Sequence, residues 1–284
     1  MSDVRLISSP GYSPELREAV GASVRAAAEA AREWSGRGDK VAADAASVAA
    51  MRAVLADAPF DGVVVIGEGE KDEAPMLANG ERLGRADSPS CDVAVDPLDG
   101  TRLTAEGLPG SVCVIALAPR GTMLDPRDVF YMDKLVCSAA GAGVVGLDLP
   151  PAENARLLAA ALGKPLEELV VAVLDKPRHA ELVASLRAAG VALELRGEGD
   201  VSVAIDAADP AGRVDLVLGV GGTPEGVVAA CAVRALRGVM EGRLSPQSEQ
   251  ERSRALAAGH DLDRLLTLDD LVASDDVLFA GCAV

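Results

Sequence analysis

Apolar residues recur every three to four positions over residues 15–34 and again over 42–56. Alanine fills much of both stretches, so each predicts a helix. Gly36-Arg37-Gly38-Asp39-Lys40 between them reads as a turn, with Asp39 placed to cap the second helix. The apolar run 62–66 predicts a buried strand that breaks into Gly67-Glu68-Gly69-Glu70-Lys71-Asp72-Glu73. Residues 92–95 predict another strand, ending on Asp96-Pro97, and 111–118 and 144–149 predict two more. Beyond Pro150-Pro151 the alternation becomes regular. Helices are predicted at 154–162, 179–189 and 226–236, with a short one from Val201, and strands at 169–174, 191–195 and 214–218. Alternating strands and helices imply a layered α/β fold. The Pro150-Pro151 pair is the predicted hinge between two domains, 1–150 and 151–284.

Composition narrows the function classes. Aromatic residues make up only 2% of the chain, so the core must be aliphatic and a base-stacking platform is poorly supported. The formal net charge of -17 repels nucleic acid and anionic membranes, and neither is an expected partner. Any bound phosphate then needs cations and a few local basic groups. Cys91, Cys113, Cys137, Cys231 and Cys282 form no C-x-x-C spacing, and four lie in apolar or small-residue runs. Free buried thiols in a reducing cytoplasm are the reading. No apolar signal region follows Met1, and no run reaches membrane-span length.

Carboxylates mark several strand-to-loop transitions: Glu68 and Glu70 after one strand, Asp96 and Asp99 after another, Glu225 after a Gly-rich turn. Strand ends are where α/β sheets place chemistry. Oxygen ligands without Cys or His point to Mg²⁺ or Mn²⁺, and the chain has only two histidines for zinc or triad chemistry. In Asp96-Pro97-Leu98-Asp99-Gly100-Thr101, Pro97 stiffens the turn and lets two carboxylates converge. Gly100 opens the backbone to a phosphate oxygen, and Thr101 offers a hydroxyl to orient water. The pattern predicts metal-dependent hydrolysis of a phosphate ester.

That hexapeptide resembles the lithium-sensitive phosphatase superfamily, which includes inositol monophosphatases and fructose bisphosphatases. The turn from Gly36 to Lys40, the run Ile66-Gly67-Glu68-Gly69-Glu70-Lys71-Asp72-Glu73-Ala74-Pro75-Met76-Leu77, Lys176-Pro177-Arg178-His179 and Gly221-Gly222-Thr223-Pro224-Glu225-Gly226 look like class II fructose-1,6-bisphosphatase. The resemblance runs from about the first helix to Phe279. It implies a layered α-β-α-β-α fold, with a metal-binding phosphatase domain followed by a sugar-phosphate-binding domain. It implies Mn²⁺ or Mg²⁺ on Asp44, Glu68, Asp96, Asp99 and Glu225, and a catalytic set of Glu68, Asp96, Asp99 and Thr101. Substrate contacts would come from Asp99, Gly100, Thr101, Tyr131, Lys176, Pro177, Arg178, Glu198, Gly199, Asp200 and Gly222. The implied reaction removes the 1-phosphate of fructose-1,6-bisphosphate in gluconeogenesis, in a cytoplasmic homo-oligomer, dimer or tetramer.

Three departures qualify the match. Some relatives carry Glu where Asp99 stands. Glu198 replaces the first Asp of the usual Asp-Gly-Asp. Relatives also continue for some tens of residues beyond the strand near Phe279, so loss of a sheet-edge partner, an oligomer contact or part of the pocket is an expectation. These keep open a paralogue acting on sedoheptulose-1,7-bisphosphate or another sugar phosphate, or a non-catalytic subunit.

Overall fold

The computed structural model describes residues 4–67, 77–87, 89–126 and 129–284. The chain forms two compact units, Met1–Asp125 with Val272–Val284, and Pro126–Leu271. The first unit contains β1 (Val4–Ser8), α1 (Pro14–Arg32), α2 (Lys40–Leu55), β2 (Asp61–Ile66), β3 (Arg82–Leu83), β4 (Ser90–Asp99), α3 (Thr101–Glu106) and β5 (Val112–Pro119). The second contains β6 (Tyr131–Cys137), α4 (Pro151–Leu162), β7 (Val170–Leu174), α5 (Ala180–Ala189), β8 (Ala192–Arg196), α6 (Asp200–Ala208) and β9 (Leu216–Gly222). It continues through α7 (Thr223–Ala235), β10 (Val239–Leu244), α8 (Glu249–Ala257), β11 (Leu266–Thr267) and α9 (Leu268–Leu271). The chain then returns to the first unit as β12 (Leu278–Ala283). Pro150-Pro151 is therefore not at the division: it opens α4 inside the second unit.

The predicted helices α1 and α2 form for local reasons. The Ser13 hydroxyl accepts the Leu16 N–H, and Pro14 stands where its missing N–H costs nothing. Asp39 caps α2 by accepting the Ala42 N–H at 2.9 Å. Along α1, Leu16, Val20, Val24, Ala27, Ala28 and Ala31 are fully buried, and the small alanines let α2 and the sheet pack closely on it.

The sheet beneath has the order β1-β12-β5-β4-β2-β3. Only β2 and β4 run parallel. The last strand, β12, has hydrogen-bonded neighbours on both sides, so it lies inside the sheet rather than at an edge.

Asp92, at the head of the acidic run, is structural. Its buried carboxylate accepts N–H groups of Gly121, Thr122 and Met123 at 2.7, 2.9 and 3.1 Å. It thereby fixes the turn after β5, with all three N–H groups gathered on the single oxygen Oδ2.

The second sheet has the order β11-β10-β6-β9-β7-β8, with β9, β7 and β8 parallel. Its central strand β6 was not legible, because Asp133 and Lys134 interrupt the apolar run. Conversely, 144–149 forms turns, not the predicted strand. Its backbone is taken up by side chains: the Asn154 amide binds both Gly146 N–H and C=O at 2.9 Å, and Glu241, distant in sequence, accepts the Leu147 N–H at 2.7 Å. Among the described residues, no helix is long and apolar enough to cross a membrane.

Replacing Asp92 by Ala strands three inward-facing N–H groups. The expected loss of stability is about 3 kcal/mol or more, read from urea unfolding. All five cysteines are buried, and none is in a disulfide. Burial pushes the Cys91 thiol up to about 11 and Cys137 up to about 12. A thiol-specific reagent at pH 8 is expected to label none of the five within minutes in the native protein and all of them in guanidinium.

Candidate active site

In the first unit the acidic motif sits where β4 leaves its regular pairing with β5, at an irregularity between Asp96 and Asp99. Asp96 is half-buried, and its Oδ1 accepts the Leu98 N–H at 3.1 Å, so the carboxylate itself shapes the turn through Pro97. Asp99 is buried and Thr101 half-buried, the latter as first residue of α3. Gly100 joins them with φ of 85°, a left-handed conformation that a side chain would strain. Its carbonyl accepts the Ser111 hydroxyl at 3.0 Å, and the Thr104 hydroxyl donates to Ser111 at 2.8 Å. The loop that presents Asp99 and Thr101 is therefore locked from below.

Asp44 projects half-buried from α2, which packs on β4 and α3. The turn before α2 is tied to the same place, because Gly36 and Gly38 donate to the Thr104 and Ala105 carbonyls. Glu68, like Glu70, Asp72 and Glu73, lies outside the described residues. Among the described residues no three His, Cys, Asp or Glu side chains stand together as a metal site.

In the second unit the predicted residues gather around the paired strands β6 and β9. Tyr131 stands opposite Gly222 in their register. The Arg178 guanidinium lies 5.1 Å from the centre of the Tyr131 ring, a cation–π contact. Its Nε and Nη2 donate to the Val220 carbonyl at 3.1 and 2.8 Å. His179 holds the other side of that peptide: Nε2 accepts the Val220 N–H at 2.8 Å, while Nδ1 donates to the Leu174 carbonyl at 2.7 Å. With both nitrogens committed to backbone, the buried ring is a strut between β9 and the end of β7. Lys176 is half-buried, and Pro177 and Arg178 are exposed, on the same 3₁₀ turn.

Glu198 is half-buried, and Gly199, with φ of 91°, turns the chain into α6 so that Asp200 is its first residue. Asp200 is buried and ion-paired with Lys134. Lys134 is a site residue that sequence reasoning missed; its one signal was a lysine inside an apolar run. Glu225, in the first turn of α7, has an Oε2 sealed from solvent with no hydrogen-bond partner. Burial raises its carboxyl above the usual range, and the Lys134 charge opposes that rise. Hard, buried, unsatisfied carboxylate oxygen suits a divalent cation.

A family model described as bacterial fructose-1,6-bisphosphatase, glpX-encoded, matches residues 15–284. The chain belongs to that family, the class II fructose-1,6-bisphosphatases. It is 43% identical over 271 residues to fructose-1,6-bisphosphatase 1 class 2 of Escherichia coli K12, covering 91% of this chain and 80% of that protein. The class 2 fructose-1,6-bisphosphatases of Escherichia coli O6:H1 and Shigella flexneri match with the same identity and coverage. The α/β reading of the fold and the class II fructose-1,6-bisphosphatase resemblance both stand.

Asp133 occupies the face of β6 opposite Lys134, paired in register with Arg243. Burial raises its carboxyl, partly offset by the Lys134 amide and then by nearby His179, Arg243 and Lys134. An acid with a raised folded-state pKa costs stability above that value. The cost vanishes as pH falls below its ordinary range. Asp133→Asn is therefore expected to raise Tm at pH 7, with the difference closing towards pH 4 in a calorimetric pH series.

Proposed function

We propose that this chain hydrolyses the 1-phosphate of fructose-1,6-bisphosphate, giving fructose 6-phosphate and phosphate. The observation that carries the reading is the locked Asp96–Thr101 loop in a member of the class II fructose-1,6-bisphosphatase family. The family is metal-dependent, and the donor chemistry fits Mn²⁺ or Mg²⁺. In the first unit Asp44, Asp96 and Asp99, with Glu68, would hold metal; in the second, the orphaned Glu225 oxygen would do so. Bound cations would neutralise phosphate charge, acidify the attacking water and stabilise the leaving oxygen.

The chain's own residues supply the rest. Asp99, Gly100 and Thr101 meet the reacting phosphate, and the Thr101 hydroxyl orients the attacking water. Arg178, stacked on Tyr131, and Lys176 beside Pro177 hold the sugar and its distal phosphate. Part of the guanidinium is already spent on Val220, so Arg178 is prepositioned before substrate arrives. Glu198, Gly199, Asp200 and Gly222 contact the sugar. On this reading the first unit carries the metal-dependent chemistry and the second the sugar-phosphate recognition. A homo-oligomer in gluconeogenesis belongs to the same reading through the family, and the buried thiols support a reducing cytoplasm. Glu198, one methylene longer than the usual Asp, keeps a paralogue acting on sedoheptulose-1,7-bisphosphate or another sugar phosphate as the runner-up reading.

A phosphate-release assay against sugar mono- and bisphosphates, with Mn²⁺ or Mg²⁺, tests this. Fructose-1,6-bisphosphate is expected to give the highest kcat/KM, and Asp96→Asn to lower it at least about a hundredfold. Release from none of the sugar phosphates, or an unaffected Asp96→Asn variant, would overturn the reading.

A further inference from the structure

A buried ammonium is costly unless its charge and protons are met. Lys134 is only 4% exposed. Its Nζ donates to the Asp200 carboxylate and, at 3.1 Å, to the Gly222 carbonyl. It thus joins three separate pieces of the second unit: β6, the start of α6, and the end of β9.

The glycines of the β9–α7 turn are explained by this junction. A Cβ on Gly221 would come within 2.1 Å of Asp200 Oδ2 and 2.8 Å of Lys134 Nζ. One on Gly222 would lie 1.7 Å from Glu225 Oε2, and one on Gly226 would stand 3.3 Å from Lys134 Cδ. Gly221, Gly222 and Gly226 together leave the volume that Lys134, Asp200 and Glu225 occupy. A motif read from sequence as a substrate turn is also the socket of a lysine far from it in the chain.

We infer that Lys134 is a positioning residue, holding Asp200 and the Gly222 backbone in one fixed geometry for the sugar phosphate. The inference rests on the proposed substrate contacts of Asp200 and Gly222. Lys134 reaches substrate through those two groups and not directly. Removing it loosens sugar binding in ground and transition states alike, which appears in KM and not in kcat.

The experiment compares wild type, Lys134→Met, Lys134→Gln and Gly221→Ala. Met keeps most of the side-chain length without a donor; Gln, of similar length, keeps a donor without the charge. Gly221→Ala intrudes on the pair while leaving both partners. Folding is checked by circular dichroism. Kinetics use fructose-1,6-bisphosphate with Mn²⁺, and calorimetry uses fructose 6-phosphate without metal.

For Lys134→Met and Gly221→Ala, KM and the fructose 6-phosphate Kd are expected to rise about tenfold or more, with kcat within about threefold. Lys134→Gln is expected to fall between Met and wild type. Unchanged KM and Kd in folded variants of an active wild type would overturn the inference and leave the proposed function standing. A fall in kcat alone, or failure of all three variants to fold, would also overturn it. A wild type that neither turns over fructose-1,6-bisphosphate nor binds fructose 6-phosphate would defeat the proposed function, and this inference with it.

Discussion

Charge taken out of water has to be met inside the protein, and that constraint organises the second unit around the Lys134–Asp200 pair. Water is excluded, so the pair needs close approach and further partners, and the Gly222 carbonyl supplies one. Close approach requires backbone without side chains, which Gly221 and Gly226 provide. Glu225 is the member left over. Its sealed oxygen lacks a protein partner, and burial pushes its carboxyl up. A fold keeps such a group where a ligand will complete it. The neighbouring clamp on Val220, with His179 on its N–H and Arg178 on its carbonyl, holds the same sheet region rigid without any ion pair.

The first unit meets the same constraint mostly with backbone donors. Asp92 is met by three backbone N–H groups on Oδ2 and by the Arg120 guanidinium 3.6 Å from Oδ1. Asp96 spends one oxygen on its own turn. Asp99 and Thr101 are presented by a left-handed glycine that two hydroxyls hold in place. Three acidic residues within eight positions thus have different tasks, set by what their environment offers as a partner. The relation of this chain to the class II fructose-1,6-bisphosphatases gives those differences their meaning.

Much of this was legible in the sequence where local rules dominate. Capped, alanine-rich α1 and α2 and the parallel strands β7 and β8 follow from periodicity and end signals. Asp96–Thr101 was legible because its residue types are unusual in combination. β6 was not, because a strand carrying a buried ion pair on one face and a half-buried carboxylate on the other has no apolar signature. Residues 144–149 misled in the opposite sense: they are apolar, but Asn154 and Glu241 claim their backbone groups, so no strand forms. The division into units escaped detection because the chain returns at Val272 to complete the first sheet, and a proline pair marks only a helix start. Lys134 escaped because its partners are 66 and 88 residues away.

The central claim is that the carboxylates presented in these two units are poised for divalent metal, with Glu225 the least satisfied of those described. Calorimetric titration of the metal-free protein with Mn²⁺, without substrate, tests it most directly. Saturable binding that weakens strongly on Glu225→Gln, with the fold intact, is the result the account predicts. No saturable binding, or binding unchanged by that substitution, would contradict it.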